Sequence, residues 1–153
     1  DVAGSRIKIA VDFSPLLESI KNAGGDVDAA AVAAAKKSAD VIAEELRAEA
    51  QASNVPASIT NEITQNVDVE NGGNRISCSV GWKMPQYNPR NPAAGYKAVF
   101  LNYGTPQRKT SKGASRGKIE PRGFIARAKK AATPKVKKAQ RKALQEILRG
   151  LEI

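Results

Sequence analysis

Histidine is absent from this 153-residue chain. The commonest general base and metal ligand is therefore missing, and the serines have no imidazole to activate them. A single cysteine, Cys78, excludes an internal disulfide and leaves the redox compartment open. No apolar run approaches the about 18 residues of a membrane span, and no signal peptide is visible. A phosphate-cradling glycine loop is missing too: Gly24-Gly25 and Gly72-Gly73 lack its spacing and read as a helix stop and a turn. Glu44 and Glu45 are neighbours on a helix and point different ways, so they make a poor acid–base pair. No metal-ligand cluster is spaced for binding. These absences argue against an enzyme and predict neither a metal nor a cofactor. Aromatic residues make up only 5% of the chain, which with the many alanines predicts a core of small, closely approaching elements.

What the chain does have is charge, unevenly spread. The net charge is +10. Residues 1–80 hold 7 Lys/Arg against 12 Asp/Glu, a net of −5, and residues 81–153 hold 18 against 3, a net of +15. The length suits a single domain able to bury a core without staples. Such a split within one domain predicts faces that meet different partners, with nucleic acid or an acidic neighbouring subunit on the basic side.

Local patterns predict an α+β fold. Ile7, Ile9, Val11 and Phe13 alternate with Lys8, Ala10 and Asp12, the period of a half-buried strand. Ser14 can cap a short helix that starts at Pro15, carries Leu16, Leu17 and Ile20, and stops at Gly24-Gly25. Asp26 is placed to cap a long helix over residues 26–52, with Val27, Ala31, Ala35, Ala39, Ile42, Leu46 and Ala50 as its apolar stripe. Lys36, Lys37, Asp40, Glu44, Glu45 and Arg47 then face water or a partner. Pro56 breaks the chain. Val67 and Val69, then Ile76, Cys78, Val80 and Trp82, alternate on either side of Asn71-Gly72-Gly73-Asn74, a hairpin signal. In that register Cys78 is a buried structural thiol, and Trp82 closes the core edge. The expected architecture is a long helix packed on a small antiparallel sheet, made of the N-terminal strand plus the hairpin. Helices over residues 122–132 and from Pro134 onward follow, with Thr133 capping the second, whose apolar face is Val136, Gln140, Ala143, Leu144, Ile147 and Leu151. Gly150 offers a stop.

Residues 96–124 organise the rest. Residues 84–95, rich in proline and asparagine, should be a loop leading in. Tyr96, Val99, Phe100 and Tyr103 recur at steps of three and four, one face of a short helix that Gly104 ends in a left-handed conformation. From Pro106 to Lys118 the composition cannot build a core, so a long basic loop, mobile in the free subunit, is expected at about residues 105–120. Arg108, Lys109, Lys112, Arg116 and Lys118 alternate there with small polar residues, a flexible arm suited to phosphates or an acidic protein surface. The bland alternative is a solvated loop. Pro121 and Gly123 return the chain, and Phe124 and Ile125 anchor it.

An aromatic-rich helix ending in Tyr103-Gly104-Thr105, a spacer, then Pro121-Arg122-x-Phe124-Ile125-x-x-Ala128 resembles a phage family. It is the family of small head–tail joining (neck or tail-completion) proteins of long-tailed double-stranded-DNA phages. The family's pattern has an acidic residue two before the Gly-Thr and a second proline before the phenylalanine; here these positions are Asn102 and Gly123. Its Asp-Thr-Gly segment after the long helix is replaced by Asn54-Val55-Pro56-Ala57-Ser58. The resemblance implies a virion structural protein of the neck, acting by assembly in a ring-shaped connector, a hexamer or dodecamer of identical subunits around the DNA channel. Neighbouring neck and tail proteins are the implied partners, with non-specific contact with packaged DNA open and no membrane. The implied locations are the virion and, during assembly, the host cytoplasm. Tyr96, Phe100, Tyr103, Gly104, Thr105, Pro121, Arg122 and Phe124 become the motif's structural anchors, and the basic arm its assembly or DNA-channel contact. The competing reading is a small basic nucleic-acid-binding protein, against which aromatics do not interleave with the basic residues as base-stacking platforms would.

Overall fold

Ile7 and Ile9 turn inward from the first strand, β1 (Arg6–Asp12), and Lys8 and Ala10 turn out, as the period of two requires. The computed structural model describes residues 5–70, 75–109, 113 and 115–152. β1 pairs antiparallel with β3 (Arg75–Trp82), which pairs antiparallel with β2 (Ile63–Glu70), giving the order β1-β3-β2. Ile9, Cys78 and Val67 stand opposite one another across the three strands, so the alternation read from sequence sets the register. The turn expected at residues 71–74 lies outside the described residues; Glu70 and Arg75, on either side, are paired. On the outer face Arg6 reaches across the sheet, donating to Ser79 Oγ at 2.7 Å and Thr64 Oγ1 at 2.9 Å. Burial pulls its guanidinium below the ordinary value.

A short helix, α1 (Ser14–Asn22), follows β1. Its cap is Phe13, not Ser14, because the buried Phe13 supplies the carbonyl that Leu16 and Leu17 donate to. The long helix α2 (Val27–Ala52) begins as expected, with the Asp26 side chain accepting from Ala29 N at 3.1 Å. Its buried stripe is wider than the predicted one, adding Ala30, Ala34, Ser38 and Ala43. The reason is that α2 is covered twice. It lies over β2 and β3, and the C-terminal helix α5 (Phe124–Leu151) runs along its other side, reaching α1 and β1. The two helices run antiparallel, pinned by Arg127 Nε on Glu49 at 3.1 Å and by an ion pair of Lys135 with Glu45.

α5 corrects the expectation of two helices broken at Thr133-Pro134. It is continuous over 28 residues with Pro134 inside it. Proline removes the donor for the Lys130 carbonyl. Both residues are exposed, so water can replace that donor, and Thr133 Oγ1 donates to Lys129 O at 2.7 Å. Ala132 and Val136, fully buried on either side, hold the axis against the core. Gly150 does not stop the helix, which runs to Leu151. Trp82 is fully buried, meets the Phe124 ring edge-on at 6.2 Å, and donates from Nε1 to Ile59 O at 2.8 Å. Ile59 lies on a single turn, α3 (Ala57–Thr60), beyond Pro56.

A candidate assembly surface at the helix–hairpin junction

The aromatic-rich segment forms α4 (Ala94–Tyr103), two residues longer at its start than the periodicity predicts. Its buried residues are Gly95, Ala98 and Asn102. Small side chains let the helix come close to Trp82, so the stripe of Tyr96, Val99, Phe100 and Tyr103 is left on the outer flank. Tyr96, Val99 and Phe100 are half-buried, and Tyr103 is 53% exposed. Tyr103 is thus no core anchor. Tyr87, 46% exposed, joins this flank from the loop before α4, with its ring 4.9 Å from Tyr96 and 6.3 Å from Phe100. Tyr96 in turn donates its hydroxyl to Pro85 O. Sequence reading misses Tyr87 because no periodicity links a proline-rich loop to the next helix.

Gly104 ends α4 with φ 77° and ψ 175°, a backbone nearly reserved for glycine, and not with the left-handed turn expected. The chain therefore passes straight into a strand. A Cβ there would also lie 2.7 Å from Ile119 O. The spacer read as a loop is in part a hairpin: β4 (Thr105–Lys109) pairs antiparallel with β5 (Ser115–Ile119), with irregular register. Composition hides this, because the pairing is imposed from the base. Ile119 N donates to Thr105 Oγ1 at 3.0 Å, and a loop whose ends are already held has little closure entropy left to lose. Arg108, Lys109 and Arg116 have backbones within these strands, and Lys118 forms an exposed ion pair with Glu120 at 3.0 Å. Lys112 lies outside the described residues.

The two halves of the motif meet below this hairpin. Arg122 N donates to Leu101 O and Gly123 N to Asn102 O, each at 3.0 Å. Asn102 Oδ1 accepts from Ile125 N at 2.9 Å and so caps the start of α5. Gly123 at the cap position has φ 60° and ψ 26°, a left-handed backbone that proline cannot adopt. Arg122 Nη1 donates to Ser53 O at 3.0 Å and Asn54 O at 3.2 Å, placing a cation at the C-terminus of α2. Phe124 is fully buried. Pro121 stays exposed beside the hairpin base. The roles of Asn102 and of the Ser53 and Asn54 carbonyls carry no signal in the sequence, since each depends on residues far away along the chain.

Cys78 is buried under α2, and burial pushes its thiol up to about 11, against a smaller opposing pull from a Ser38 hydrogen bond. It is a structural group. Two shallow grooves mark the helix surfaces. One, of about 480 Å³, is lined by Asp40, Glu44, Arg47, Ala48, Gln51 and Gln65. The other, of about 590 Å³, is lined by Pro134, Lys137, Lys138, Arg141, Lys142 and Gln145. Among the described residues no helix is long and apolar enough to cross a membrane. Comparison with known protein families, curated proteins and solved structures gives no match.

Proposed function

We propose that this protein is a structural subunit of the neck of a long-tailed double-stranded-DNA phage, part of a ring-shaped connector that joins the DNA-filled head to the tail. The observation that carries this reading is the junction itself. The Tyr103-Gly104-Thr105 and Pro121-Arg122-x-Phe124 halves are bonded into one clasp, and a basic hairpin stands on it beside the aromatic flank of α4. A clasp of this kind fixes both ends of the basic hairpin, which suits assembly and not turnover. A closed ring of identical subunits needs two different, complementary surfaces on each copy. Exposed Asp40 and Glu44 on α2, and exposed Lys137, Lys138, Arg141 and Lys142 on α5, are candidates for such a pair. In this reading the arm and the α4 flank face a neighbouring subunit or neck protein.

The experiment is genetic and visual. A phage carrying this chain with Arg108, Lys109, Lys112, Arg116 and Lys118 all changed to Gln is grown beside the parent. Particles are counted by electron microscopy and probed with gold-labelled antibody to the chain. Label at the head–tail junction of the parent is expected, with separated heads and tails accumulating in the variant. Absence of the chain from purified parental virions overturns the neck reading. Infectious variant particles at normal yield reduce the arm to a solvated hairpin and move the function to the folded faces.

A further inference from the structure

α5 carries nine cations and one carboxylate, Glu146. Arg127 and Lys135 are spent against α2, on Glu49 and Glu45. Lys130, Lys137, Lys138, Arg141 and Lys142 are all exposed, and among the described residues none of them has a carboxylate within ion-pair distance. They recur at steps of three, four and seven on the side opposite Ala128, Ala132 and Val136, and four of them line the groove with Pro134 and Gln145. A helix face that serves only for solubility alternates its charges. Here Lys137 and Arg141, and Lys138 and Lys142, are like charges at i and i+4, an arrangement that destabilises a helix. Only Lys142 has an opposite charge four positions on, at Glu146, so the fold gains little from this stripe and an anionic partner accounts for it better.

We infer that the outward face of α5 binds the phosphate backbone of double-stranded nucleic acid, without regard to sequence. An acidic protein fits less well, because protein interfaces centre on buried aromatic or aliphatic anchors. The middle of this face holds Pro134 and lysines, flexible point charges that need no fixed orientation on a phosphate. Lys130 to Lys142 spans about 18 Å of helix axis. Over that length a duplex presents about ten phosphate charges. The face has no aromatic side chain for stacking, and Gln145 is the one uncharged amide among five exposed cations, so phosphate contacts outnumber any contact to a base edge. This inference places on α5 a nucleic-acid contact that the resemblance leaves open and assigns to the basic arm, and it stands whether or not the neck reading holds.

Fluorescence anisotropy with a labelled duplex of random sequence tests it on the purified full chain across a salt series. Two Gln variants are compared, one at Lys137, Lys138, Arg141 and Lys142, the other at Arg108, Lys109, Arg116 and Lys118. The α5 variant is expected to bind at least about tenfold more weakly, with a salt dependence shallower by about 3 to 4 in log–log slope. The hairpin variant should keep most of the affinity, and replacing Lys137, Lys138 and Lys142 together by Arg should keep it as well. Circular dichroism checks that each variant is folded. An α5 variant that binds like the parent overturns the inference. So does polyglutamate competing as well as the duplex, which would point to an acidic protein. Failure of the neck reading in the particle experiment leaves the anisotropy result untouched.

Discussion

Asn102, one residue from the end of α4, caps α5 through Oδ1 on Ile125 N at 2.9 Å, while its own carbonyl accepts from Gly123 N. One residue thus joins the two ends of the hairpin excursion, and at 3% exposure water cannot replace it. Asn102→Ala should destabilise the protein by about 1–2 kcal/mol, the cost of a lost cap in a buried setting. Asn102→Asp keeps the acceptor and places a negative charge at a helix N-terminus, so it should lie closer to the parent. Urea unfolding measures both, and an unchanged midpoint for the alanine variant would remove the cap from the account.

Gln140 is the anomaly of the core. It is fully buried on α5 between Val136 and Leu144, and neither its Oε1 nor its Nε2 has a hydrogen-bond partner. Each unsatisfied group carries a desolvation penalty of about 1–3 kcal/mol. Gln140→Leu keeps the approximate volume and removes the polar ends, so it should raise the melting temperature. A melting temperature below the parent's would mean that the amide is satisfied in solution by a bound water.

The thiol of Cys78 gives a pH dependence whose sign is determined. Its folded pKa is raised from 9.0 to about 11, so the folded state holds the proton more tightly than the unfolded chain. The resulting stabilisation is complete below 9.0 and disappears as pH rises through about 11. Unfolding free energies at a series of alkaline pH values should fall across that window more steeply in the parent than in Cys78→Ala. At neutral pH the thiol should resist alkylation until denaturant is added. Rapid labelling of the folded protein would contradict its burial.

Ala35 tests the layer order. It is fully buried on α2, in the half of the helix where small residues allow close approach. Ala35→Leu should overpack that contact and cost about 1–3 kcal/mol. An unchanged calorimetric melting temperature would place Ala35 away from the core.

Much of this architecture is written locally. The alternation in β1 and β3, the Asp26 cap and the small-residue stripe of α2 each depend on neighbours a few positions apart, so residue order alone determines them. The same holds for the buried Cys78, whose face follows from strand period, and for the charge split between the two halves. Three features were decided only by tertiary structure. Pro134 interrupts a helix in isolation, yet Ala132 and Val136 are both held in the core and carry α5 through it. The strongest periodic stripe of α4 stayed outside, because close approach to Trp82 favoured Gly95 and Ala98, and packing distance outweighed hydrophobicity. The basic spacer paired into β4 and β5 because Asn102, Gly104 and Arg122 hold its ends together. In each case a contact between residues distant in sequence supplied the free energy that local preference lacked, and such contacts leave no periodic trace in the chain.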